Sequence, residues 1–470
     1  MMRKKLSGFG LAGVLAVAAC SPSEILKVNN PDIIDPAALN TPQGIAALYA
    51  GALGDFSEAV VGDNGGTEGQ ILVSGSFSDE LGNSETFPTR KEYDQRGPID
   101  LRNGTLLTVF RRLQRARRSA ERASFYIKTI VATPLTDSRV GEAFNLEGTI
   151  YNYFGENYCS GVPISTADDD GTLTFGPGLT TTELFDQAIK RFDSALAYPA
   201  NATVTNFAKV GKGRALLNLG QYAAAAAAVA GVPTNFAYNT THTLALGRQQ
   251  NGVFVFLAQT ERFTVVDLDG GNGLNFRNAN DPRVPWARIP ANDVGFDAAT
   301  PQYDQGKYAS ETAPVAIATG IEARLIEAEA ALKAGDNTTW LNTLNALRAQ
   351  TAGIPTVYPA GFPPVSGTTG SPFTPLTPLA DPGTPTARED LMFRERAFWL
   401  YLSSHRLGDL RRLVRQYGRT ATAVFPGGGG APFIINGNNK GGVFGNEVNL
   451  PIPFDETNNP ESTGCIDRNP

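Results

Sequence analysis

Histidine is nearly missing from this chain of 470 residues, which holds only His242 and His405. Zinc sites draw on clustered His and Cys, and a Ser-His-Asp arrangement needs a histidine between nucleophile and acid, so neither chemistry has its material here. No metal or cofactor is expected. The stretches "ADDDGT" and "DLDGGN", with Asp168, Asp169, Asp170, Asp267 and Asp269, fall short of a full calcium-loop signature. "LDGGNG" lacks the strand-to-helix context of a phosphate loop and reads as a turn. Surplus positive charge is absent too: 40 Lys and Arg face 46 Asp and Glu. That balance argues against a nucleic-acid partner, whose phosphates require clustered cations. The one basic run, Arg111, Arg112, Arg115, Arg117 and Arg118, lies on a helical pattern and reads as a solvated or carboxylate-paired face. Past the N-terminal leader no segment approaches the roughly eighteen consecutive apolar residues of a membrane helix, so no other helical span is expected.

What is present begins at the N-terminus. Behind Arg3, Lys4 and Lys5 come the uncharged residues 6–19, and then Cys20 and an abrupt polar turn in "LAGVLAVAACSPSE". The length and flanks are those of a signal-peptide apolar region, too short for a transmembrane helix. Small residues before Cys20 resemble the lipobox of bacterial lipoproteins, a resemblance that implies cleavage after residue 19 and acylation of Cys20. The alternative is a buried N-terminal helix ending in a buried cysteine. Cleavage removes three basic residues and no acidic ones, leaving 37 basic against 46 acidic, a net of −9. Only Cys159 and Cys465 then remain. An even count in an oxidising compartment favours a disulfide between them over two separate thiols.

Residues 20–40, with Pro22, Pro31 and Pro36, read as a lipidated tether, and residues 41–470 as one domain. Thr41 and Pro42 form a helix start, and Ile45, Leu48, Tyr49, Ala52 and Phe56 follow at helical spacing. Residues 62–98 are punctuated by Gly, Asn and Asp and read as a long surface excursion. A long helix is expected from Leu101 to Ile130, and Asp137 caps the next. From Thr180 to Ala230 a helix-turn-helix rhythm appears, in which Leu219, Gly220 and Tyr222 resemble the inter-helix turn of a tetratricopeptide repeat. A second copy runs from Ile321 to Ala349, turning at Gly335 and Asp336, with Trp340 beyond. Repeats that cannot bury their faces alone must stack. Residues 231–314 read as loops with short strands such as "GVFVFLAQ" and "RFTVVDLD"; the proline-rich residues 352–386 and Gly/Asn-rich residues 426–446 read as further loops. The expected fold is mainly α, a tetratricopeptide-like helical-repeat scaffold with large loop-rich insertions and a few short strands. With 41% apolar residues it has ample material for a core.

The densest stretch is "REDLMFRERAFWLYLSSHRLGDLRRL", residues 388–413, which sets a charge lattice beside an apolar face. Such charges usually pair with one another. This stretch resembles the SusD/RagB-type nutrient-binding outer-membrane lipoproteins: Glu395, Arg396, His405, Arg406, Asp409, Leu410, Arg411 and Arg412 match that family's motif in order and spacing. The family more often has Glu at Trp399 and Glu-Gly at Ser403 and Ser404. Weaker fragments agree: "GENYCSGVPI", "NDPRVPW" with Asp281 and Arg283, and "LPIPFDETNNP". The resemblance implies a lipid-anchored protein at the outer membrane, facing the cell exterior, although "CSPSEILKV" lacks the acidic export signal of many relatives. It implies capture of oligosaccharides or related nutrients for a SusC-type TonB-dependent transporter, without catalysis. Sugar rings stack on aromatic faces. By composition and position the candidate platforms are Phe77 and Tyr93 in the first loop and Trp286, Tyr303 and Tyr308 in the central one. Each has the alternative of packing its loop to the scaffold. Two other functions compete. A glycoside hydrolase would draw on Asp79 and Glu80, and a helical-repeat scaffold lipoprotein of envelope assembly would use the repeats and anchor alone.

Overall fold

The computed structural model describes residues 41–168, 172–288, 293–350 and 375–468. The signal peptide, Cys20, the tether, Asp169 and Asp170 lie outside the described residues. Helix α1 (Pro42–Val61) starts as its sequence requires, with the Thr41 hydroxyl accepting the Gly44 N–H at 3.0 Å. Contrary to the reading by consecutive apolar runs, α1 is long and apolar enough to cross a membrane. Asp55 and Glu58 interrupt its run, which hid it. It packs into the core through Ala52, Phe56 and Ala59, and Glu58 meets Arg112, Arg115 and Arg248. The basic run is thus a carboxylate-paired face.

Helices α2 (Gln70–Phe77) and α3 (Pro88–Asp94) and a strand at Leu81–Asn83 occupy the stretch expected to be a surface excursion. Every residue of α2 is buried. A helix enclosed on all sides shows no amphipathic period, which is why its sequence looked like loop. Helices α4 (Gly104–Ile130), capped by Asn103, and α5 (Ser138–Asn157), capped by Asp137, follow. Then come α6 (Thr181–Leu196), α7 (Ala202–Asn218) and α8 (Tyr222–Val229). Successive members of this run pack on one another. Gly148 of α5 and Gly211 of α7 sit against the Phe192 ring of α6 so closely that a Cβ at Gly211 would lie 2.2 Å from it. The two repeat turns are built alike, with Gly220 at φ 72° and Gly335 at φ 79°, the left-handed conformation glycine adopts without strain. Helices α9 (Gly320–Lys333) and α10 (Asn337–Arg348) form the second pair, and α9 packs directly against α8 although about ninety residues separate them in sequence.

Two further stretches depart from expectation. "GVFVFLAQ" is a helical turn, Gly252–Phe254 running into Val255–Gln259, because a short apolar run reads equally as strand or buried helix. The Gly/Asn-rich stretch holds an antiparallel hairpin, Pro432–Ile435 with Asn438–Val443.

Helices α11 (Pro385–Trp399) and α12 (Arg406–Tyr417) carry the charge lattice, joined by a tight turn in which Leu402 and Ser404 take φ of 49° and 60°. The lattice is buried. Arg412 spans Glu329 of α9, at 3.0 Å, and Asp409, at 2.8 Å, while Arg396 grips Asp409 with two bonds of 2.8 and 2.9 Å. Burial opposes ionisation of Asp409, but the guanidinium groups of Arg396 and Arg412 hold its carboxyl well below the usual range. Arg406 clasps Asp79 at 2.5 and 2.7 Å, and Arg411 donates to the carbonyls of Gly155 and Glu156 that end α5. Arg283 of the "NDPRVPW" fragment joins Glu395 at 2.6 Å, and His405 Nε2 lies 3.0 Å from Glu322. Cys159 and Cys465 are disulfide-bonded, their Cα atoms 5.7 Å apart, and the C-terminal tail is further held where Cys159 N–H donates to Leu450 O at 2.8 Å.

Removing Arg412 leaves buried Glu329 with only the longer 3.6 Å contact to Arg396 and leaves Asp409 with Arg396 alone. Arg412→Met is expected to lower unfolding free energy by about 3–5 kcal/mol in denaturant titration, and adding Glu329→Gln should recover part of it. Equal losses in the single and double variants would contradict this account.

Candidate functional site

The loop-rich insertions are assembled on short strands. Leu81–Asn83 pairs with Phe263–Val265, and the Val265 N–H continues outward to Tyr303 O at 2.9 Å. Tyr303 returns its own N–H to Thr264 Oγ1 at 2.8 Å. Trp286–Ala287 pairs with Asp304–Gln305, placing Trp286 opposite Gln305. Residues two apart on an extended chain share a side, so Tyr303 and Trp286 meet, edge to face, with ring centroids 5.5 Å apart. Both are half-buried. The Trp286 indole donates to Arg277 O at 3.1 Å, which fixes the ring.

The hairpin locks this arrangement. Its turn, Asn436-Gly437, has φ of 51° and 88°, the paired positive values of a tight hairpin turn. Asn436 Nδ2 donates to Thr264 Oγ1 at 3.0 Å and Val265 O at 3.1 Å, while its Oδ1 accepts from Arg277 Nη2 at 3.0 Å. Farther along, Asn438 reaches Thr300 Oγ1 and Lys440 reaches Asp297 at 2.6 Å. Beside these lies a second aromatic patch that the sequence reading missed. Phe87 and Phe296, 47% and 51% exposed, flank the Arg262 guanidinium at 5.3 and 4.2 Å. Their only sequence signal is placement: Phe87 precedes Pro88 at a helix start, and Phe296 lies in the loop after Trp286.

Of the five aromatic candidates, Trp286 and Tyr303 come together at this surface. Phe77, Tyr93 and Tyr308 do not: the first two are fully buried, and Tyr308 is 3% exposed with its hydroxyl donated to Leu402 O. Phe77 ends the enclosed helix α2 and Tyr93 lies on the buried side of α3, so no sugar has a face of theirs to stack on. The motif residues Glu395, Arg396, His405, Arg406, Asp409, Arg411 and Arg412 are likewise interior and hold the scaffold.

Asp79 and Glu80 are 1% and 0% exposed. Asp79 is held by Arg406 and by the Leu274 N–H at 2.8 Å; Glu80 accepts the Leu402 N–H at 2.9 Å and so stabilises the strained turn. Asp267, weighed for calcium, accepts the N–H groups of Arg277 and Asn278. Burial pushes Glu80 up to about 8, against the pull of the Leu402 N–H. A proton is therefore held in the native state between the ordinary value of 4.5 and about 8, and the stability it represents is lost as pH rises through that window.

No family profile matches the chain, and no curated protein matches it. Solved structures do. A laminarin-binding SusD-like protein superposes with a TM-score of 0.61 at 15% identity, covering 91% of this chain and 99% of its own. A SusD superfamily protein from Bacteroides vulgatus gives 0.59 at 13% identity, over 90% and 98%. Surface glycan-binding protein A from Bacteroides uniformis gives 0.58 at 12%, over 90% and 99%. The fold is therefore that of the SusD-like proteins, helical and tetratricopeptide-like, with the loop layer mounted on it.

In denaturant unfolding, the stability of Glu80→Gln relative to wild type is expected to rise by up to about 1.4 kcal/mol per pH unit between pH 4.5 and 8 and then level off. A difference that does not change with pH would show that Glu80 ionises normally in the fold.

Proposed function

We propose that the protein is a lipid-anchored glycan-capture protein of the outer membrane that binds oligosaccharide on its loop face and delivers it to a SusC-type TonB-dependent transporter, without catalysis. The observation that carries the reading is the half-buried Trp286–Tyr303 pair, fixed by backbone and side-chain hydrogen bonds on a SusD-like fold. An aromatic pair held in one conformation offers the ring surface its neighbours leave open to the apolar C–H faces of a sugar with little entropy left to lose. The names of two structural neighbours, laminarin-binding and surface glycan-binding, support a carbohydrate ligand. The scaffold side supplies a different surface. A groove of about 710 Å³ along α9 and α10, lined by Arg324, Glu327, Asn342, Thr343, Ala346 and Leu347, mixes polar and apolar surface in a way that suits contact with a protein partner such as the transporter. The glycosidase alternative loses its basis once Asp79 and Glu80 are buried and bonded to the scaffold.

A glycan-array screen of the purified protein is expected to find one oligosaccharide class, with Trp286→Ala weakening binding about tenfold, ~1.4 kcal/mol. Silence across the array, or binding indifferent to Trp286, would remove this site. For the anchor, Cys20→Ala is expected to abolish incorporation of radiolabelled palmitate in expressing bacterial cells; unchanged labelling would overturn acylation at that residue.

A further inference from the structure

Arg277 carries a charge that the fold does not answer. Its backbone N–H meets Asp267, its carbonyl takes the Trp286 indole, and its Nη2 donates to the neutral side chain of Asn436. Among the described residues no carboxylate forms an ion pair with its guanidinium. Its neighbours differ: Arg283 is matched by Asp281 and Glu395, Arg262 by Glu85, and Lys440 by Asp297. The Arg277 guanidinium lies 3.7 Å from the Tyr303 ring centroid and 5.6 Å from that of Trp286. A second cation approaches the same ring, with the half-exposed Arg288 at 5.9 Å, itself only 3.8 Å from its nearest acid, Asp293.

Cation–π contact positions a guanidinium without neutralising it. It also covers aromatic surface that a neutral pyranose would use. What the arrangement receives well is an anion, since a guanidinium presents a planar fork of donors that matches carboxylate or sulfate oxygens. We infer that the ligand of this site is an acidic oligosaccharide, one whose rings bear carboxylate or sulfate groups, with Arg277 taking the anionic group beside the Trp286–Tyr303 pair and Arg288 adding to the local field. The inference rests on the glycan-binding reading above and narrows it.

The test is calorimetric titration of the whole protein with three probes: an oligogalacturonate, a chondroitin sulfate oligosaccharide and a neutral laminarin oligosaccharide, at low and at high salt. One anionic probe is expected to bind best and to weaken with salt. Arg277→Gln should weaken it about ten- to a hundredfold, Arg277→Lys should retain part of the affinity, and Arg288→Gln should lessen the salt dependence. Preference for oligogalacturonate assigns a carboxylate ligand, and preference for chondroitin sulfate a sulfate ester. Should Arg277→Gln fail to fold, the exposed Arg288→Gln still reports the field. Laminarin binding best, with Arg277→Gln and Arg288→Gln unaltered, would overturn the acidic ligand and leave glycan capture standing. Binding of none of the three probes would overturn the inference, and a silent glycan array beside it would overturn the broader reading as well.

Discussion

The second helical repeat, the end of α5, the strand segment after Asp79 and the central insertion are all fastened to the buried charges of α11 and α12. Arg412 reaches Glu329 on the second helical repeat, Arg411 the last carbonyls of α5, Arg406 the Asp79 that leads into the loop layer, and Glu395 receives Arg283 from the central insertion. Ion pairs taken out of water gain little net free energy, because desolvation offsets their attraction. Their effect is on alternatives: shift any one element and a charge stays buried without its partner. The network therefore selects one arrangement of helices and insertions, and it explains why Arg396, Arg406, Arg411 and Arg412 are buried.

From that centre the rigidity passes outward by backbone. The turn between α11 and α12 is strained at Leu402 and Ser404, and it is held by Glu80, by the Tyr308 hydroxyl and by Lys307, which donates to Tyr401 O. Glu80 and Asp79 stand directly before Leu81–Asn83, whose pairing with Phe263–Val265 supports Tyr303 and the hairpin turn at Asn436. Side chains fixed in advance lose little freedom on contact, and here Tyr303 is tied through two short strands to the buried Arg406–Asp79 ion pair.

Much of the frame was legible because it depends on local signals. The caps at Thr41 and Asp137, the glycine turns at Gly220 and Gly335 and the motif spacing of α11 and α12 all act within a few residues. The buried helix α2 was not legible, since Gln70, Ser74 and Ser76 look solvated until the surrounding elements enclose them. The hairpin left a signal that went unread: Asn-Gly after two isoleucines is a tight-turn dipeptide inside what composition alone marks as loop. Among the aromatics nothing local separates Tyr303, at the surface, from Tyr308, five residues on and buried against Leu402.

The two aromatic patches of the loop face show what decides whether an arginine is structure or site. Arg262 lies between Phe87 and Phe296 much as Arg277 lies against Tyr303 and Trp286, and ring geometry alone would rank them alike. Arg262 pairs with Glu85, a carboxylate that also holds Arg90, so its charge is cancelled inside the protein and the rings beside it present a neutral surface. Among the described residues the Arg277 guanidinium has only the Asn436 amide as a hydrogen-bond acceptor, which orients it and leaves its charge in place. A half-buried cation kept uncompensated is unfavourable for the free protein, and a ligand that brings the missing anion relieves that cost on binding.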